Sequence, residues 1–74
     1  MTPTGFKECN KVLNGPENTD ILNLPIRTDG RICSSVWELS KQEIEEVIRS
    51  KKIIISIYSG VTQPPMIVEV YDPN

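Results

Sequence analysis

The stretch whose reading decides the fold is residues 40–58, SKQEIEEVIRSKKIIISIY. Ser40 stands three residues before Glu43. That is the capping-box spacing, in which each side chain satisfies the other's backbone N–H at a helix start. Leu39 before the cap and Ile44 after it are spaced as a hydrophobic staple. Ile44, Val47 and Ile48 fall on one apolar stripe. Glu43, Glu45 and Glu46 sit near the positive end of the helix dipole, and Arg49, Lys51 and Lys52 near the negative end. The pattern predicts a helix over 41–50. From Lys52 the period changes to two. Ile53, Ile55 and Ile57 share one face, with Ile54, Ser56 and Tyr58 on the other, which predicts a β-branched strand over 52–58.

Outward from this stretch, Met66, Val68 and Val70 alternate with Ile67, Glu69 and Tyr71, which predicts a second strand over 66–71. The intervening 59–65 is too long for a tight hairpin turn and suits a functional loop. Toward the N-terminus, 6–13 and 21–26 look extended, and Leu24 is pushed out of the α region by Pro25. Asn14-Gly15-Pro16-Glu17-Asn18 marks a turn through Asn-Gly. Thr28-Asp29-Gly30 marks another, with 31–36 as the returning strand and Ile26 and Ile32 flanking the hairpin. The expected fold is α+β: one domain, residues 1–74, with a small antiparallel sheet of three to five strands and one helix packed across one face. Residues 1–20 are an extended arm or a partly ordered segment in this reading, and 21–72 form the core. Both faces of 52–58 are apolar, so one can meet the helix and the other a second copy of the chain. A chain of 74 residues buries only about 60–65% of its unfolded surface, and a homo-oligomer offsets that small core.

Composition narrows the function classes. Net charge is −2, the pI is near 5.0, and 38% of residues are hydrophobic. This is an ordinary globular balance, without the basic excess that a membrane-surface or long nucleic-acid binder needs. There is no histidine, which removes His-based triads and zinc sites. Cys9 and Cys33 are too few for a disulfide scaffold and read as reduced thiols. No basic region followed by an apolar run opens the chain, and no run approaches the ~18 residues of a membrane span. A cytoplasmic location is expected. The four glycines form no phosphate-binding loop. The serines and cysteines lack a base, so no catalytic set, cofactor or metal is expected.

Three candidate binding features remain. Trp37 is the only tryptophan, in Ser34-Ser35-Val36-Trp37-Glu38. It is either an anchor pinning helix to sheet or a platform for stacking a base. The loop Tyr58-Ser59-Gly60-Val61-Thr62-Gln63-Pro64-Pro65 gathers a phenol, hydroxyls and an amide around one glycine. It is either a stiff connector or a hydrogen-bonding site for a small polar ligand. Arg27 and Arg31 flank the Asp29-Gly30 turn, as a solvated tip or as phosphate neutralisers.

The order Ser35-x-Trp37-x-Leu39-Ser40-x-x-Glu43, helix, Ile/Val strand, then Gln63-Pro64-Pro65-x-Ile67 resembles a group of small phage and prophage proteins. Val12-Leu13-Asn14-Gly15-Pro16-Glu17 and Leu24-Pro25-Ile26 resemble that group's N-terminal halves. Val36 stands where cysteine is common, and Gln63 where histidine is common. The resemblance implies a phage origin and work in the infected host's cytoplasm. By analogy of size and origin, it points to phage sponges that hold cyclic nucleotides away from immune effectors. The expected function is therefore non-enzymatic anti-defence sequestration of a small anionic nucleotide. Trp37 or Tyr58 would stack a base, and Arg27 or Arg31 would meet phosphates. Ser35, Ser59, Gly60, Thr62, Gln63 and Pro64 complete the ligand site. The alternatives are a protein–protein inhibitor that docks an acidic surface (Glu38, Glu45, Glu46, Glu69, Asp72) on a host complex, or a minor phage structural protein.

Overall fold

In the computed structural model, which describes residues 1–72, five short strands precede one helix. They are β1 (Thr2–Thr4), β2 (Lys11–Leu13), β3 (Leu24–Thr28), β4 (Cys33–Ser34), β5 (Val36–Glu38) and α1 (Lys41–Ser50). The fold is α+β, with two antiparallel sheets in place of the single expected one. β1 pairs with β5, and β3 lies between β2 and β4. The registers set Pro3 opposite Trp37, Lys11 opposite Ile26, and Arg27 opposite Ser34.

β3 is the hub. Pro25 has no N–H to give, and β4 pairs only with Arg27 and Thr28, so the proline lies beyond that ladder. On the other side Asn10 lengthens the β2 ladder with its side chain. Its Nδ2 donates to the Thr28 carbonyl at 2.8 Å, and its Oδ1 accepts from the Thr28 N–H at 3.0 Å. Its own backbone N–H donates to the Ile26 carbonyl at 2.9 Å. This amide does the work of one more strand residue, a local side-chain pairing that period-two patterning does not detect.

The extended reading of 6–13 shrinks to β2. Phe6–Cys9 is a turn, closed by the Cys9 N–H donating to the Phe6 carbonyl at 3.1 Å. The expected arm enters the sheets instead, since residues 2–4 and 11–13 are both paired. In the 14–23 connection the left-handed residue is Asn18, at φ 60°, and not Asn14-Gly15. Gly15 serves close approach: a Cβ there would lie 2.1 Å from the Ile21 carbonyl oxygen. Its N–H donates to Asn23 Oδ1 at 2.9 Å. The Asp29-Gly30 hairpin forms, but with Ile32 inside the turn instead of flanking it. Asp29 Oδ1 accepts from the N–H groups of Arg31 and Ile32 at 2.9 and 2.8 Å, and Gly30 takes φ 89°.

α1 spans Lys41–Ser50 as its pattern requires, with both halves of the capping box made. The Ser40 N–H donates to Glu43 Oε1 at 2.8 Å, and the Glu43 N–H donates to Ser40 Oγ at 3.2 Å. Lys51 closes the helix in a left-handed conformation, its N–H donating to the Val47 carbonyl at 2.7 Å. The apolar stripe is not covered by the sheet, however. No residue of α1 is buried, and Ile48 is 69% exposed.

The strands expected over 52–58 and 66–71 do not form. Both segments are free of ladder pairing in the single chain. A β-branched run has strand propensity, but a strand also needs a partner edge. The 66–71 segment is anchored at its far end, where Tyr71 meets Phe6 edge-on at 6.0 Å between centroids and its hydroxyl donates to Glu8 at 3.2 Å. Among the described residues only Ile26 is buried, at 3% exposure. The accessible surface is 6965 Å², against about 4,600 Å² for a compact chain of this mass. The radius of gyration is 13.8 Å, against about 11 Å expected.

Two outcomes follow from these contacts. Gly15→Ala should lower unfolding stability by about 1–3 kcal/mol, because the new methyl meets backbone, while Gly5→Ala, with open space around it, should change it little; urea unfolding of both variants is the check. The second concerns pH. The Met1 ammonium and then the Ser40 N–H hold the Glu43 carboxyl down to about 2 from 4.5. The stabilisation is therefore complete above about 4.5 and lost as pH falls toward about 2. Helicity followed by circular dichroism should drop across that window, and Glu43→Gln should remove that part of the drop.

Candidate functional site

Trp37 is carried on β5, where its backbone faces Pro3 of β1. The residue is 46% exposed. Its indole N–H donates to Ser35 Oγ at 2.9 Å, which limits ring rotation. The ring walls an open apolar depression of about 400 Å³, shared with Pro3, Leu13, Pro16, Ile21, Leu22 and Leu24. The depression faces the N-terminal half of the chain, and the helix contributes nothing to it. Trp37 is thus no anchor between helix and sheet. It is a half-open aromatic wall, set by one hydrogen bond, on a mainly apolar surface to which Asn14 adds a polar side chain. A flat apolar group laid against it would gain dispersion contact and remove apolar area from water.

Sequence patterning gives Ile21 and Leu22 an extended conformation and assigns Leu13 and Pro16 no place in a site. The adjacent pair Ile21-Leu22 inside a polar connection was the signal available for this wall.

Arg27 lies on β3 across from Ser34, and Arg31 lies on the hairpin turn; both are exposed. Between them Asp29 is held below the usual carboxylate range by the Ile32 and Arg31 N–H groups, with a smaller contribution from the Arg27 charge. Asp29 therefore stays ionised near neutrality. The tip offers two guanidinium groups against one carboxylate, a weaker anion site than the arginines alone would make.

The 58–65 loop spends much of its hydrogen-bonding capacity on itself. The Ser59 hydroxyl donates to the Thr62 carbonyl, and the Thr62 hydroxyl donates back to the Ser59 carbonyl at 3.3 Å. The Gln63 amide donates to the Ile55 carbonyl at 3.1 Å, and the Ser59 N–H to the Ile57 carbonyl at 3.0 Å. Gly60 sits at φ 70°, a left-handed position that suits glycine. Tyr58 and Val61 are fully exposed, and the rest of the loop through Pro64 is exposed.

The candidate residues fall into three groups and not one pocket. Ser35 and Trp37 are joined directly. Arg27 and Arg31 share the hairpin tip around Asp29. Tyr58, Ser59, Gly60, Thr62, Gln63 and Pro64 form a separate loop, and no hydrogen bond or ion pair among the described residues joins it to the other two groups. No helix is long and apolar enough to cross a membrane among the described residues. Comparisons with family models, with curated proteins and with solved structures give no match for this chain.

Proposed function

We propose that this chain works by binding, as a non-enzymatic phage anti-defence protein that sequesters a small anionic nucleotide of the cyclic signalling class. One observation carries the reading. The single tryptophan stands half open on an apolar depression with its N–H already satisfied by Ser35, so its face is available for stacking. Stacking on such a face is worth about 1–3 kcal/mol per base. In this reading the phosphates are met by Arg27 and Arg31, which stand apart from the Trp37 depression on the hairpin tip and share it with the ionised Asp29. The phage origin in this reading rests on the resemblance of the motif order to small phage proteins. Sequestration asks only for equilibrium affinity, so it needs no perturbed acid or base.

The second reading is a protein-docking inhibitor in the same host cytoplasm. It is favoured by the exposure of Glu38, Glu45, Glu46, Glu69 and Asp72, which give an acidic surface fitted to a basic partner.

The test is a thermal-shift series of the purified chain with cyclic dinucleotides, cyclic trinucleotides and cyclic ADP-ribose isomers. Sequestration predicts a rise of several degrees with one class, because ligand bound to the folded state alone stabilises it by mass action. Trp37→Ala should abolish the rise while its own unfolding stability falls by well under the roughly 3–5 kcal/mol of a buried tryptophan. No rise with any nucleotide overturns the sponge reading and leaves the docking inhibitor.

A further inference from the structure

The segments with the strongest strand patterning are the ones the single chain leaves unpaired. Ile53–Tyr58 and Met66–Tyr71 both alternate, both are β-branched, and neither has a ladder partner. Ile54 is 90% exposed and Val70 94% exposed. Beside them Val47 of α1, with Ile53 and Ile54, walls an open apolar depression of about 300 Å³. Extended segments with unpaired N–H and C=O groups and apolar side chains are templates for another strand.

We infer that these two segments are a self-association surface: the 53–58 segment of one copy pairs antiparallel with the 66–71 segment of a second copy, and the reverse, around a two-fold axis. The register that sets Ile54 across from Val70 also sets Ile57 across from Ile67 and Ile53 across from Tyr71. One face then sets Ile54, Ser56 and Tyr58 against Val70, Val68 and Met66, and the other sets Ile53 and Ile57 against Tyr71 and Ile67, with Glu69 across from Ile55. Within one chain the 59–65 loop is folded on itself and the Gln63 amide caps the Ile55 carbonyl; pairing with a second copy exchanges that amide for a backbone N–H. A two-fold arrangement makes both pairings at once and leaves neither segment open.

The area identifies the occupant. The chain exposes 6965 Å², which exceeds the surface of a compact chain of its mass by about 2,400 Å². That excess is spread over the whole chain; two copies that each cover about half of it here bury about 2,400 Å² in total, still within the range of obligate homodimers. A small transient partner would leave most of it open. The net charge of −2 per chain is too small to oppose pairing. Val47 lines the same depression as Ile53 and Ile54, so the uncovered helix stripe has a place in the interface.

The experiment joins light scattering with amide hydrogen exchange on the full chain, then repeats both on Ile54→Lys and Val70→Lys. These side chains are exposed in the single chain, so neither change disturbs its fold. The expected mass is twice the 8.3 kDa of the chain. Amides of 53–58 and 66–71 should be protected at least about 100-fold, and each lysine variant should raise the dissociation constant at least about 100-fold and release that protection together. A single-chain mass, with or without protected amides, overturns the inference, as does a double mass with both segments unprotected. A ladder of masses, the mark of open-ended strand addition, overturns it as well.

Discussion

Ile26 is the one buried side chain among the described residues, and it centres the three-stranded sheet. It sits in the middle of β3, at 3% exposure, with β2 on one side and the start of the β4 hairpin on the other. Asn10 grips the next turn of the same strand through Thr28, and Lys11 pairs with Ile26 itself. One buried isoleucine contributes about 1.5–3 kcal/mol, too little to stabilise a fold against the entropy of ordering the rest. The chain satisfies its backbone over five short strands while most of its aliphatic side chains remain in water. That imbalance governs everything else, from the bare helix stripe to the uncovered Ile/Val segments, and it is the physical reason to look for a surface that covers them.

What was legible in the sequence was what depends on neighbours in the chain. The capping box, the charge order along the helix and its stripe all operate within one or two turns, so α1 begins and ends where the pattern places it. The Asp29-Gly30 turn was legible for the same reason, although Asp29 draws the Arg31 and Ile32 N–H groups inward and moves Ile32 into the turn. Less legible was whatever depends on a distant partner. β1 has three residues and exists because β5 is beside it. Gly15 looked like a positive-φ turn residue, yet it is needed for the approach of the Ile21 carbonyl. For 53–58 and 66–71 the alternation is a true statement about side chains, but alternation does not name the edge that completes a ladder.

The candidate site divides along the same line. Trp37 left two roles open, and its environment chooses the half-open wall because Pro3 and the 14–24 connection, not the helix, lie beside it. The hydroxyls of Ser59 and Thr62 looked like free donors when counted by type. In three dimensions they donate within the loop, so side-chain inventory overstated what that loop offers a ligand. The arginines are where the turn was expected to hold them, with an ionised Asp29 between them that sequence spacing did not weigh.

The central claim is that one copy of this chain is an incomplete folding unit. The most direct measurement is urea unfolding of the purified chain at two concentrations about a thousandfold apart. Association that buries the open surface predicts a midpoint that rises with concentration, together with a dependence on urea steeper than the little surface hidden by one copy allows. A midpoint independent of concentration, with a shallow dependence on urea, would contradict the claim and return the open surface to the single chain.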